Sequence, residues 1–203
     1  ASPKLSEMLL KDADAGVRQQ AAISLSYIMD QNSGPSLVKA LKDSQFPVRY
    51  AALHTLGVLR YAPAEDAIAD LLSAQDPTMR RGAIAALGQM QSAKAAGAIV
   101  SALKDADSYV RIEAVKSLGS IGYAPAAPEL VKLLDKANAP QLRVEAALAL
   151  SRMKMADGLL TALEFVKSDD MSLRSQAQNV AAAVGDERTL QYITELYSAE
   201  QDP

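Results

Sequence analysis

Cysteine and tryptophan are absent from the 203 residues, phenylalanine occurs twice and histidine once. Without cysteine there is no disulfide framework, no thiolate nucleophile and no zinc–thiolate site. Aromatics make up 4% of a chain that is 49% apolar, so its core has to be built from Ala, Leu, Ile and Val, which suits closely packed helices. No apolar run approaches the ~18–20 residues needed to span a bilayer, and a membrane is not an expected partner. A basic excess is lacking too: the net charge is −3 and the pI about 5.2. Nucleic-acid binders carry a basic footprint, so nucleic acid is not an expected partner either. No signal-peptide pattern is visible, although Ala1 is compatible with a mature end left by cleavage. The expected compartment is the cytoplasm, with a secreted or periplasmic mature chain as the alternative.

What is present is a repeat. An apolar residue followed by Arg recurs at Val17-Arg18, Val48-Arg49, Met79-Arg80, Val110-Arg111, Leu142-Arg143 and Leu173-Arg174, with Arg spacings of 31, 31, 31, 32 and 31. Three residues after each Arg stands Ala21, Ala52, Ala83, Ala114, Ala146 or Ala177. Seven after it stands Leu25, Leu56, Leu87, Leu118 or Leu150, with Ala181 in the last copy. Eight after it comes a small residue: Ser26, Gly57, Gly88, Gly119, Ser151 and Ala182. A fixed period of this length is the mark of a repeat architecture.

Each period reads as two helices. Asp14, Asp76, Asp107 and Asp170 lie four residues before their Arg, where a side-chain oxygen can cap free backbone N–H groups. Pro77 and Pro140 occupy first-turn positions, where no N–H is lost. Apolar residues at +3, +4, +7 and +10 from Arg form one stripe. The second helix is shorter, with Leu37-Val38 and Leu41, Ile68 and Leu71-Leu72, Ile99-Val100 and Leu103, and Leu130-Val131 with Leu133-Leu134. Leu160, Leu163 and Val166, then Leu190, Ile193 and Leu196, continue it, while Leu5, Met8, Leu9 and Leu10 fit the same template at the start. Pro63 and Pro125, in the matching segments Tyr61-Ala-Pro-Ala64 and Tyr123-Ala-Pro-Ala126, mark helix starts.

Neither helix can bury its stripe alone, and stacking the pairs buries them all. The expectation is an all-α, right-handed α-solenoid of six hairpins, an α-α superhelix of about thirteen helices in a single domain over 1–203. Its repeats fall at about 3–30, 34–61, 65–91, 95–122, 126–153 and 157–184, with an unpaired terminal helix at 187–198. That unpaired helix also suggests that the chain is part of a longer protein.

Asp-x-x-Val-Arg, then Ala at +3 and Leu-Gly at +7 and +8, resembles the short HEAT-like repeat named after phycobilisome lyases. Gly185-Asp-Glu-Arg188 is similar to an inter-helix turn of that class. The resemblance covers the whole chain and speaks for fold more than for function. Its members include bilin lyase subunits, iron-dependent hydroxylases and many scaffolds. It implies that the Arg-bearing helices line the concave side and that their outward residues meet partners. The sequence departs from the pattern at Gln45 and Ala139, which replace the capping Asp, and at Gln178 and Ala181 in repeat 6. Repeat 6 therefore packs more weakly or serves as a more polar end cap.

No catalytic set, metal site or cofactor is expected. The hydroxylases of this class use several His-Glu pairs, whereas this chain has only His54, followed by Thr55. The same scarcity removes a zinc site and a His-based triad. Gly57, Gly88 and Gly119 recur inside helices and serve layer packing rather than a phosphate loop. The six Arg read as structure: four of them follow a capping acid by four residues, a spacing that permits an ion pair, and repetition of the Arg in every layer suggests a ladder joining repeats.

Positions +1, +5 and +9 from Arg point away from the core. They read Gln19, Ile23, Tyr27; Tyr50, His54, Val58; Arg81, Ala85, Gln89; Ile112, Lys116, Ser120; Val144, Leu148, Arg152; Ser175, Asn179, Ala183. A purely solvated face would be polar in every copy, but this one drifts and is partly apolar. Ile23, Tyr27, Tyr50 and His54 form one expected cluster and Ile112, Val144 and Leu148 another, unless the stacking of layers buries part of the stripe. The expected partner-binding residues are Ile23, Tyr27, Tyr50, His54, Arg81, Ile112, Lys116, Leu148 and Arg152, on a non-catalytic scaffold for another protein or peptide. Two other functions compete. The resemblance implies a bilin lyase-type chromophore-handling subunit, for which Arg81, Lys116 and Arg152 would meet propionates. A nucleic-acid-binding HEAT-like protein is opposed by the acidic balance.

Overall fold

The Arg-bearing helices begin where their sequences cap them. In the computed structural model, which describes residues 1–184, Asp14 accepts from the N–H groups of Gly16 and Val17 at 2.6 and 3.3 Å and opens α2 (Ala15–Ile28). Asp107 does the same for α8 (Ser108–Ile121) and Asp170 for α12 (Met171–Val184), while Asp76 caps α6 (Pro77–Gln89) through the Thr78 N–H alone. Helices α4 (Phe46–Leu59) and α10 (Pro140–Arg152), which follow Gln45 and Ala139, have no side-chain cap and carry Pro in the first turn instead. The intervening helices are α1 (Ser2–Lys11), α3 (Gly34–Ala40), α5 (Glu65–Ala69), α7 (Ala93–Ser101), α9 (Ala127–Lys132) and α11 (Leu159–Leu163). Twelve α-helices and no strand are thus present among the described residues. The terminal helix expected at 187–198 lies outside them, as does the Gly185–Arg188 turn.

The short helices are less regular than the stripe predicts. Pro63 and Pro125 sit in 3-10 turns, Ala62–Ala64 and Ala124–Ala126, and the α-helix starts only after each turn. A chain of five to seven helical residues gains too few i→i−4 bonds to hold α geometry at its ends.

Two units divide the chain. In the first, Ala1–Ser117, α2 packs on α1 and α4, and α4 packs on α6. Its buried stripe includes Ala21, Leu25, Ala52, Leu56, Ala83 and Leu87, the +3 and +7 positions, with relative exposures of 2% or less. Each Leu there contributes about 1.5–3 kcal/mol by leaving water. A Cβ at Gly57 would lie 2.8 Å from the Ala86 Cα, so glycine sets how closely α4 and α6 approach. Thr55, also buried, donates its hydroxyl across to the Ala22 carbonyl at 2.9 Å, and Ser117 reaches the Ile84 carbonyl at 3.1 Å.

The second unit begins at Leu118 and packs α10 against α9, α11 and α12. Ala147, Ala162, Val166, Ala177 and Val180 form its core, and Leu148, Leu163 and Phe165 pack against them. Gly119 meets Ala149 as Gly57 meets Ala86. In repeat 6, Gln178 occupies an apolar register but donates to the Val166 carbonyl at 3.5 Å.

One register went unread in the sequence. Met29, Arg60, Gln91, Gly122 and Lys154 each stand eleven residues after their Arg, and all have positive φ, between 49° and 72°. The next N–H then closes back on the +7 leucine: Tyr61 on Leu56, Ser92 on Leu87, Tyr123 on Leu118 and Met155 on Leu150, at 3.0–3.1 Å. This is the Schellman closure, in which a left-handed residue ends the helix. Only one of the five is glycine, which is why composition did not reveal it.

Candidate partner-binding groove

The arginines bond differently from the local pairing that their spacing suggests. The capping Asp is occupied by backbone N–H groups. Instead Arg18 grips Asp43, 25 residues on, with Nε to Oδ2 at 2.8 Å and Nη2 to Oδ1 at 3.0 Å. Arg80 grips Asp105 in the same way, at 2.8 and 2.9 Å. The arginine bonds hold the Asp43 and Asp105 carboxyls below their ordinary range, against the opposing effect of burial, and raise the two guanidinium groups. Such bidentate pairs are the strong form of the salt bridge. The ladder is thus real but joins only some layers. The register six before each Arg reads Asp12, Asp43, Ala74, Asp105, Ala137 and Ser168, and the third carries no acid for Arg49.

What recurs more widely is a second role. The Nη1 of Arg18 donates to the carbonyls of Asp12 and Ala13, that of Arg49 to Asp43 and Ser44, that of Arg80 to Ala74 and Gln75, and that of Arg111 to Asp105 and Ala106. Each Arg therefore satisfies carbonyls left over at the end of the preceding short helix. Arg174 keeps one such bond, to Ser168. Arg143 departs: it is 6% exposed, donates to the Leu134 carbonyl and to Glu164, and lies 5.2 Å over the Phe165 ring. The extra residue in its repeat lengthens the preceding loop, and Asn138 takes over the carbonyls of Lys132 and Leu133.

With the arginines engaged in the scaffold, the drifting face becomes the candidate site. In the first unit α2 and α4 open a groove of about 610 Å³ lined by Gln19, Ile23, Ser26, Tyr27, Phe46, Pro47, Tyr50, Ala51, His54 and Val58. All six residues at +1, +5 and +9 of repeats 1 and 2 are among them. Tyr27 is 82% exposed, His54 is exposed, and Ile23 and Tyr50 are half-buried. The outward stripe did not include Phe46 and Pro47, which come from the first turn of α4. Phe46 stacks on Tyr50 with ring centroids 6.0 Å apart and planes 17° apart. Two aromatics four residues apart, in a chain so poor in them, were the available signal. A small recess of about 30 Å³ continues past Tyr50 and His54 toward Gly82, Ala85 and Gln89.

The remaining expected residues are not gathered into this groove. Arg81 lines a separate recess of about 90 Å³ with Pro77, Thr78, Asp107 and Tyr109. Ile112 and Lys116 are half-buried on α8. Beside them burial raises the Glu113 carboxyl, opposed by Lys116 and Arg81. In the second unit Arg152 is exposed, but Val144, expected on the outward face, is fully buried, and Leu148 packs against the core. The outward stripe there is partly covered because α10 is enclosed by α9, α11 and α12. Among the described residues no group of three or more His, Cys, Asp or Glu is placed to hold a metal ion, and no helix is long and apolar enough to cross a membrane.

Helical hairpins of nearly constant length, stacked through an alanine–leucine stripe, make this an α-solenoid. The family model for HEAT repeats matches residues 2–74, 65–151 and 127–203, and the chain belongs to that family. None of the curated proteins compared by sequence matches it. Among solved structures it is similar to the complex of CpcE and CpcF of phycocyanin lyase from Nostoc sp. PCC7120. The identity there is 21% over 91% of this chain and 77% of that one, with a TM-score of 0.74. A designed armadillo repeat protein in complex with the peptide (KR)4 is 21% identical over 90% of this chain and 98% of that one, with a TM-score of 0.62. An engineered protein is 20% identical over 90% and 96% of the two chains, with a TM-score of 0.65. At such identities the likeness concerns the fold alone.

Proposed function

We propose that this chain is a non-catalytic scaffold that holds a protein or peptide partner on the outward face of its Arg-bearing helices, with the groove between α2 and α4 as the main contact. The observation that carries the reading is the groove itself. It forms where the repeat does not repeat, at positions freed from stacking, and its lining is aromatic and aliphatic with a few polar groups. Tyr27 exposes most of its ring to solvent, a cost that a partner contact would offset. The HEAT-repeat class and the peptide held by the armadillo neighbour support the same reading. The 31-residue phase runs on through Ser117 and Leu118, inside α8, which supports taking residues 1–203 as one array.

The test uses two exposed positions so that the fold is spared. Partners captured from the native cell extract by the wild-type chain are compared with those captured by the double variant Tyr27→Asp, His54→Asp, with circular dichroism checking the helix content. Loss of a partner by the well-folded variant is expected. A partner held equally by both proteins would place the contact elsewhere and defeat the reading.

A further inference from the structure

Among the repeat arginines of the first unit, Arg49 and Arg111 hold loop carbonyls but make no salt bridge with a described carboxylate, and of these two Arg49 lies over an aromatic of the groove. In Arg18 and Arg80 three donor positions have distinct duties: Nη1 holds loop carbonyls, while Nε and Nη2 form a fork around a carboxylate. Arg49 keeps the first duty, donating to the Asp43 and Ser44 carbonyls at 2.8 and 3.0 Å. Its guanidinium is therefore held in place as theirs are. Yet Ala74 occupies the register where Asp43 and Asp105 serve the other two, and no carboxylate among the described residues makes a salt bridge with it. The guanidinium carbon instead lies 5.8 Å over the ring of Phe46, which lines the groove and stacks on Tyr50. A planar donor fork, pre-positioned by its own hydrogen bonds, thus lies one ring away from an apolar groove.

We propose that Arg49 is the charge-reading element of the groove, and that the partner is an acidic peptide segment: an Asp or Glu side chain on the Arg49 fork, with a neighbouring aromatic or aliphatic side chain in the groove. The inference rests on the groove being the partner site. The chain itself supplies the template, since two repeats built in the same way hold a carboxylate in that fork. Charge complementarity selects the segment: a fork that accepts a carboxylate bidentately discriminates against a neutral amide of the same shape, and the groove supplies the apolar burial. The same template predicts how to block the site. The Ala74 carbonyl is held by Arg80 as the Asp43 carbonyl is held by Arg49, so an Asp placed at 74 would present its carboxylate to Arg49 as Asp43 presents its own to Arg18.

The experiment follows the Arg Nε–H, Tyr50 and His54 resonances by NMR in the full chain during titration with three N-acetylated probes. These are acetyl-Phe-Glu-amide, acetyl-Phe-Gln-amide, and acetyl-Phe-Gly with a free C-terminal carboxylate. The acidic peptide is expected to shift Arg49 Nε–H together with the groove resonances, leave Arg18 and Arg80 unmoved, and bind about tenfold more tightly than the Gln peptide. Ala74→Asp should abolish that preference while raising the unfolding temperature, and Ala74→Asn should do neither. Equal binding of the Glu and Gln peptides in the groove, with Arg49 unmoved, would overturn the inference and leave the groove reading standing. Tighter binding of the free C-terminus would overturn the assignment to an acidic side chain. Groove resonances that no probe moves would defeat the groove reading as well.

Discussion

Substitution of Arg60 by glycine should make this protein more stable, although it removes a whole side chain. Arg60 closes α4 with φ 49° and ψ 45°, a left-handed conformation. That conformation costs an L-residue about 1–2 kcal/mol because Cβ crowds the following carbonyl. Glycine escapes this cost but has more freedom in the unfolded chain, which offsets about 0.4–1 kcal/mol. The net gain expected for Arg60→Gly is about 0.5–1 kcal/mol. Little opposes it, because Arg60 is exposed and its side chain makes no hydrogen bond or ion pair with a described residue. Met29, φ 58° and 53% exposed, should behave alike, and the double variant should gain about 1–2 kcal/mol if the two sites act independently. Gln91 should gain less, since its side-chain amide donates to the Gly88 carbonyl and that bond would be lost. Gly122→Ala supplies the reverse experiment. A Cβ there would meet nothing within 4 Å, so its expected loss of about 1 kcal/mol is purely conformational. Equilibrium urea unfolding followed by far-UV circular dichroism measures all four. A neutral Gly122→Ala, or an Arg60→Gly protein less stable than the parent, would show that the shared +11 register is not a strained cap.

Gly57→Val should destabilise the first unit by about 1–3 kcal/mol, because backbone of α6 stands where the new side chain would go, and the same denaturation experiment reads the shift. The pH dependence of stability follows from two opposite shifts. Asp43 and Asp105 have folded-state carboxyls below the unfolded value, so their contribution is full above the ordinary carboxylate range and is lost as pH falls through the depressed values. Acid unfolding of the Asp43→Asn protein should accordingly be shallower than that of the parent. Glu113, raised by burial, works the other way: its charged form opposes folding as pH rises past the unfolded value, so Glu113→Gln should stabilise the protein at neutral pH and change little in acid. Thermal melts from acid to neutral pH check both signs.

The sequence by itself determined the repeat, the helical hairpins, the capping aspartates and the buried alanine–leucine stripe. Those features depend on contacts three to eight residues apart or on the fixed offset between layers, and both leave a periodic trace in the chain. It also located Ile23, Tyr27, Tyr50 and His54 on one face, since that face is defined by helix geometry alone. Only the tertiary structure decided the rest. It gave Arg18 a partner 25 residues away rather than the aspartate four residues before it, because backbone N–H groups already occupied that aspartate. Neighbouring helices buried Val144, which helix geometry alone turns outward. It brought Phe46 and Pro47 into the groove, and it set Met29, Arg60, Gln91 and Lys154 in a conformation that their residue types do not advertise. These outcomes share a cause: each depends on which atoms of another helix or loop stand nearby once the layers are stacked, and spacing along one helix carries no record of that.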